Sequence, residues 1–364
     1  MEKKVKLFTP ILIIFIGIFV LSGGVYTVCI FSSAFAEWWA RYPSHYFRAC
    51  LAYLTNLIPF SVAEMMLLLI LPLLAVYVLV AFKYIRENNL KKYYACLRPL
   101  LIIILILVSS FLGVFGPCYY RNPLDVNMGF ERNNVTAGEL KDTALCVIEE
   151  LDDIDVKIRN DGSTVYQCDY QTLVDDIKKS FHDFCADKSY IRWYNSNPKL
   201  VSLSPLMTYT HISGVYSFFT GEANINYNYP PFVLPYTIAH EMSHQRGIAR
   251  EDEANFVAFL VCINSDNDYV RYSGLFNMLE YLLSALKKAD AAEYKSFVNN
   301  RLSDRTKNEL RAYSVFFEKY TQSAAATVAG TVNNAYLESQ GQSAGSASYG
   351  LVVDLAVAYY KQKT

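Results

Sequence analysis

The hydrophobic positions split this chain into an apolar first third and a patterned remainder. Three early runs, about Phe8 to Phe31, Leu57 to Phe82 and Pro99 to Gly116, are almost unbroken. Each is long enough to cross a bilayer core of about 30 Å as a helix. Beyond them the pattern becomes periodic. Thr136-Ala137-Gly138-Glu139 resembles a capping box that opens an amphipathic helix through Leu140, Leu145, Val147, Ile148 and Leu151. Gln171 to Asp187 reads as a second helix, with His182 on its surface. From Leu200 to Tyr229 the pattern shortens to strands. Residues 222–229 alternate, so that Ile225, Tyr227 and Tyr229 share one face and Asn224, Asn226 and Asn228 the other. A helix follows Pro230-Pro231-Phe232-Val233-Leu234-Pro235, with Tyr236, Ile238, Ala239 and Met242 as its apolar surface and Gly247 as a left-handed stop. Arg250-Glu251-Asp252-Glu253 opens another, running into Val257 to Val261. Tyr269 to Lys288, Ala291 to Leu302 and Asp304 to Val328 also read as helices. The small-residue stretch from Gln322 to Tyr349 reads as helix ends joined by a loose connection, and a last helix runs through Leu351, Val352, Leu355 and Tyr359.

Charge orients this plan. Lys3, Lys4 and Lys6 precede the first run, and Lys83, Arg86, Lys91, Lys92 and Arg98 lie between the second and third. The loop from Ser32 to Asn56 has only Arg41 and Arg48, offset by Glu37. The positive-inside rule therefore predicts a cytoplasmic N-terminus and an extracytoplasmic C-terminal part. Ala34-Phe35-Ala36 looks like a cleavage site, but the first run is long for a signal peptide and two more follow, so an uncleaved span is expected. Glu64 and Pro72 in the second run carry no transport function by themselves. The predicted organisation is a membrane domain over residues 1–117 and an extracytoplasmic domain over 118–364, about 250 residues and enough for one core. Net charge is -1, and nothing in the chain points to nucleic acid. Six cysteines (Cys50, Cys118, Cys146, Cys168, Cys185, Cys262) fall on the predicted outer side at wide spacings that name no pairs, and packing roles are expected.

The chemistry concentrates at His240-Glu241-Met242-Ser243-His244. On a helix, histidines four apart share one face and can reach one metal ion. Glu241 lies about 100° further round by the 3.6-residue period, beside a metal-bound water but not as a ligand. Two histidines on zinc call for a third protein ligand. In an antiparallel helix pair turning near Gly247 to Ala249, Glu251 comes back opposite the histidines and Asn255 lies on the same face. Glu253 remains the alternative, since one residue in the helix start exchanges the two. Arg250 stands where a third histidine would be needed in H-E-x-x-H-x-x-G-x-x-H, which excludes that arrangement. His211, Tyr209 and Tyr216 are candidate oxyanion donors by chain position.

The block from His240 to Phe256 resembles an uncharacterised bacterial family of three-span membrane proteins, a domain of unknown function related to gluzincin-type zinc peptidases. Ser204-Pro205-Leu206, Ile212-Ser213-Gly214, Thr220-Gly221-Glu222-Ala223-Asn224 and Val332-Asn333-Asn334-Ala335-Tyr336-Leu337 are similar to it too. The resemblance implies an α+β zincin-like domain, mostly helical after the active-site helix, behind three N-terminal transmembrane helices. It implies His240 and His244 as zinc ligands, Glu241 as base and a following glutamate as third ligand. Gluzincins commonly carry an acid four residues after that glutamate to brace a histidine; Asn255 fits the spacing with an amide. The expected function is a membrane-anchored zinc metallopeptidase acting on a peptide or protein substrate at the outer membrane surface. The alternatives are a non-catalytic receptor or assembly factor that retains the zinc site, or a hydrolase of a non-peptide amide in the cell envelope.

Overall fold

A computed structural model describes residues 8–154, 169–320, 323–342 and 351–363. Lys3, Lys4, Lys6, Cys168 and the 343–349 end of the small-residue stretch lie outside the described residues. The chain divides into two compact units, Met1–Arg121 with Ser217–Glu222, and Asn122–Tyr216 with Ala223–Thr364.

In the first unit α1 (Pro10–Phe31), α2 (Ser33–Arg41), α3 (Pro43–Asn56), α4 (Val62–Arg86) and α5 (Leu90–Ser110) follow one another. α5 runs on through a π turn and a 3-10 turn, so three stretches, Pro10–Phe31, Val62–Arg86 and Leu90–Tyr120, are long and apolar enough to cross a membrane. Caps set the boundaries that apolarity blurs. Ser61 accepts from the Glu64 amide at 2.9 Å, which starts the second stretch at Val62 rather than Leu57. Asn89 accepts from the Lys92 amide at 3.1 Å and starts the third nine residues before Pro99, which sits inside the helix. Residues 33–56, read from sequence as a loop, are the helices α2 and α3. Glu222, at the tip of the inserted segment, accepts from the Val62 and Ala63 amides at 3.0 and 2.9 Å. Those are donors that the first turn of α4 cannot pair internally.

The second unit holds α6 (Leu124–Met128), α7 (Ala137–Asp152), α8 (Tyr170–Cys185), β1 (Lys199–Leu200), α9 (Ser204–Met207), β2 (Gly214–Ser217) and β3 (Glu222–Ile225) except for their end residues Ser217 and Glu222, α10 (Leu234–Gln245), α11 (Glu251–Ile263), α12 (Asp268–Ala289), α13 (Ala291–Arg301), α14 (Asp304–Glu318), α15 (Ala324–Ser339) and α16 (Val352–Lys363). It is mostly helical with one small sheet of order β1-β3-β2, in which β1 and β3 are parallel with Lys199 opposite Asn224. The capping box at the start of α7 is formed, with the Thr136 amide donating to Glu139 at 2.7 Å and the Glu139 amide to Thr136 at 3.3 Å. α10, α11 and α12 make the centre of the core, where Phe232, Phe256, Phe259, Tyr272 and Phe276 are fully buried. α11 and α12 cross so closely that a Cβ on Gly274 would lie 2.4 Å from that of Cys262. A larger residue at 274 would force them apart.

Two sequence expectations fail here for local reasons. The helix expected from Asp304 to Val328 ends at Glu318, and α15 starts afresh where Ser323 accepts from the Ala326 amide at 3.1 Å. Much of the supposed loose connection is thus an alanine-rich helix, in keeping with alanine's propensity. The strand expected over 222–229 stops at Ile225, leaving Tyr227 exposed and Tyr229 buried in the core.

Glu280 on α12 is partly buried, and desolvation pushes its carboxyl from an ordinary 4.5 up to about 7. The folded state then binds a proton that the unfolded state has released, so stability falls as pH rises from about 4.5 to about 7. Glu280→Gln is expected to raise the thermal midpoint at pH 8, by up to about 3 kcal/mol in stability, with little gain at pH 4. Equal gains at both pH values would contradict this.

Candidate metal centre

α10 ends in a turn that does two things. The Gly247 amide donates to the His244 carbonyl at 2.9 Å and the Ile248 amide to the Ser243 carbonyl at 3.1 Å, with Gly247 at φ 86°. This is the paired-bond helix stop that glycine makes possible. The same turn aims the Ile248 carbonyl at His244 Nδ1, 2.8 Å away. A carbonyl only accepts, so Nδ1 carries the proton, and in the neutral ring Nε2 turns a lone pair inward.

Three donor atoms meet in front of that lone pair. His244 Nε2 lies 3.0 Å from His240 Nε2, and Glu251 Oε2 lies 3.3 Å from His240 Nε2 and 3.4 Å from His244 Nε2. Ligands bound tetrahedrally to zinc at about 2.0–2.1 Å stand about 3.3 Å apart. The separations therefore match one face of such a tetrahedron, and the nitrogen and carboxylate donors suit that ion. Burial alone would keep Glu251 neutral, but His244 and His240 hold its carboxyl well below the usual range. Burial would likewise lower the His244 imidazole, and Glu251 and Glu241 outweigh it and carry it up to about 9. The cluster is thus arranged to hold positive charge between its members.

Glu241, on the next face of α10, is buried against β2. A Cβ on Gly214 would fall 2.6 Å from its Cγ and Oε1, so only glycine leaves it room. The Tyr216 backbone amide also bonds its carboxylate. Burial pushes the Glu241 carboxyl above its ordinary range, while the two histidines oppose the shift. Its Oε2 has no hydrogen-bond partner among the described residues, nor has His240 Nδ1.

The acids after the turn point in three directions. Glu251 joins the histidines. Asp252 pairs with Arg132 at 2.7 Å, and Glu253 accepts from the Leu124 amide at 2.9 Å, at the start of α6. Glu253, the alternative ligand, is thus engaged away from the cluster. Asn255 does not brace a histidine: its side-chain and main-chain oxygens accept from the Tyr236 hydroxyl at 3.2 and 3.0 Å. The candidate oxyanion donors separate too. His211 Nε2 donates to the Tyr320 carbonyl at 3.0 Å, and the Tyr209 ring is exposed with its edge against Tyr320. Only Tyr216 meets the centre, through its backbone amide. β3 is the middle strand of the sheet, and β2 lies at an edge, with Val215 exposed.

Sequence reasoning assigned no role to Gly214 or to Arg246. Arg246 is fully buried, its guanidinium 4.5, 4.7 and 5.0 Å from the rings of Phe181, Trp193 and Tyr194. It donates to the Met242 carbonyl at 3.0 Å and the Tyr194 carbonyl at 2.9 Å. It thereby fixes the C-terminal turn of α10 that carries His244, at the end where the helix dipole favours a cation. The aromatic residues near position 190 were the available signal.

A family model described as "Protein of unknown function (DUF3810)" matches residues 40–357. No curated protein and no solved structure matches the chain.

Proposed function

The chain belongs to the DUF3810 family, and from the geometry of its centre we propose that it is a membrane-anchored zinc-dependent metallopeptidase. The observation that carries this reading is the convergence of His240 Nε2, His244 Nε2 and Glu251 Oε2 beside the buried carboxylate of Glu241. His240, His244 and Glu251 would hold the ion, with the Ile248 carbonyl orienting His244. When bound, zinc supplies Lewis acidity toward water and a carbonyl oxygen at the coordination position that three protein ligands leave open. Glu241 accepts the proton of the attacking water on its carboxylate and returns it to the leaving amine. Gly214 and the Tyr216 amide hold that carboxylate in place. An extended substrate adds alongside β2. The domain has a zincin-like arrangement in this reading, the three apolar helices cross the cytoplasmic membrane with the N-terminus inside, and the centre faces outward.

The test is metal content of the full-length protein purified in detergent. About one zinc per chain is expected for wild type, Glu241→Gln and Glu253→Ala, and a loss of at least about tenfold in affinity for His240→Ala and Glu251→Ala. A folded wild type that takes up no zinc when it is supplied would sink the proposal. Retention in Glu251→Ala with loss in Glu253→Ala would reassign the third ligand.

A further inference from the structure

Resting on the reading of the apolar helices as membrane spans, we infer that α2 and α3 form an interfacial anchor, seated in the headgroup layer of the leaflet where α1 ends and α4 begins. The polarity of these helices is inverted relative to a water-soluble pair. α3 turns Ser44, His45 and Arg48 inward, with relative exposures of 0, 8 and 1%. Outward it shows Tyr46 (62%), Phe47 (59%), Tyr53 (50%) and Leu54 (58%), a single helical face that continues to Leu57 (81%). On α2, Glu37 faces in and pairs with Arg121 at 2.8 Å, while Trp38 is half exposed. Among residues 32–61 the only charges are Glu37, Arg41 and Arg48, and none is exposed.

Water is a poor partner for such a face, since soluble surfaces rarely collect this much contiguous apolar area. The chain supplies the occupant by continuity. α1 ends at Phe31, one residue before α2, and the exposed Leu57 and Phe60 lead into α4 at Val62. The face is thus an extension of the apolar surface of two spans. Its tyrosines and tryptophan have apolar bodies and polar tips, the composition that settles at the boundary of acyl chain and headgroup. Because no basic residue faces outward, the anchor needs no anionic lipid, unlike amphipathic helices with cationic polar faces. Zwitterionic phosphatidylcholine suffices.

Tryptophan quenching in full-length protein reconstituted into phosphatidylcholine vesicles tests this. The chain has three tryptophans, so Trp39→Phe with Trp193→Phe leaves Trp38 as reporter. The same background with Trp38→Phe and Leu71→Trp reports from the middle of α4. A lipid quencher near the top of the acyl chain should quench Trp38 at least about twofold more than one at the methyl end, and the reverse should hold for the Leu71→Trp reporter. Trp39 Nε1 donates to the Gly113 carbonyl at 2.8 Å. Should its loss unfold the unit, a nitroxide on exposed Cys50 in a Cys96→Ser, Cys146→Ser, Cys168→Ser chain gives the same test, with oxygen expected to relax it more than a water-soluble nickel complex. Quenching of Trp38 by aqueous acrylamide alone, by the deep lipid label most, or by neither, overturns the anchor if the Leu71→Trp reporter is still quenched from within the bilayer. A Leu71→Trp reporter untouched by either lipid label overturns the membrane reading itself.

Discussion

Glu241→Gln is expected to keep about one zinc per chain and to lose peptide hydrolysis by about a thousandfold, within the range that a positioned base contributes. The amide is nearly isosteric with the carboxylate, so the packing against Gly214 survives. What disappears is the proton acceptor, on a buried group whose basicity is already raised by desolvation. Gly214→Ala gives the converse perturbation, because its methyl would enter the space of the Glu241 carboxylate, 2.6 Å from Cγ. A lower kcat with an unchanged metal content is expected there as well. The measurement is digestion of a peptide mixture followed by mass spectrometry, with metal content determined on the same samples. Full activity in Glu241→Gln would remove Glu241 from the chemistry. No activity in wild type with zinc bound would favour the non-catalytic receptor.

The largest effect on stability is expected at Arg246. Arg246→Leu takes the guanidinium from the Tyr194 carbonyl, the Met242 carbonyl and Gln245 Oε1. The last two keep the residue 246 amide and the Ser196 hydroxyl as donors, so the Tyr194 carbonyl carries most of a cost of about 1–3 kcal/mol, and the lost contacts with three aromatic rings add about 1–2 kcal/mol. A total near 4 kcal/mol corresponds to a fall of about 10 °C in thermal midpoint for a domain of this size. Arg246→Lys keeps the charge but not the planar fork that lies over the rings of Phe181 and Trp193, so an intermediate loss is expected. Differential scanning fluorimetry of the three proteins at one pH separates these cases. A midpoint in Arg246→Leu within a degree or two of wild type would show that the guanidinium is dispensable.

The parts of this molecule that were legible in its sequence are those where a short-range rule decides. The four-residue spacing of His240 and His244 fixes a shared face, Gly247 marks the helix stop, and an antiparallel return from that stop brings position 251 opposite both histidines. The capping box at Thr136 is as local. Reading failed where the deciding partner was distant or the polarity of a helix face was reversed. The partner of the Asn255 side-chain oxygen is Tyr236, a helix away, rather than a histidine. His211 and Tyr209 stand near the centre in the chain, yet both turn to Tyr320, more than a hundred residues later. The alternation over 222–229 is real as a pattern, but a three-stranded sheet uses only its first half. Residues 33–56 passed for a loop because their apolar stripe is interrupted by polar side chains. Those side chains, Ser44, His45 and Arg48, point inward, the reverse of the polarity by which an amphipathic helix is recognised in a sequence.

The three consecutive acids that open α11 constrain the chain in a way that composition does not express. Glu251, Asp252 and Glu253 are interchangeable in charge and nearly so in shape, but each serves a different address: two histidines, Arg132, and the amide of Leu124. Successive residues on a helix differ by about 100° in direction. Adding or deleting one residue in the short turn at 246–250 would rotate all three assignments at once. The invariant to look for in any descendant of this sequence is therefore the length of that turn. A single-residue indel there would be more damaging than many substitutions on either side.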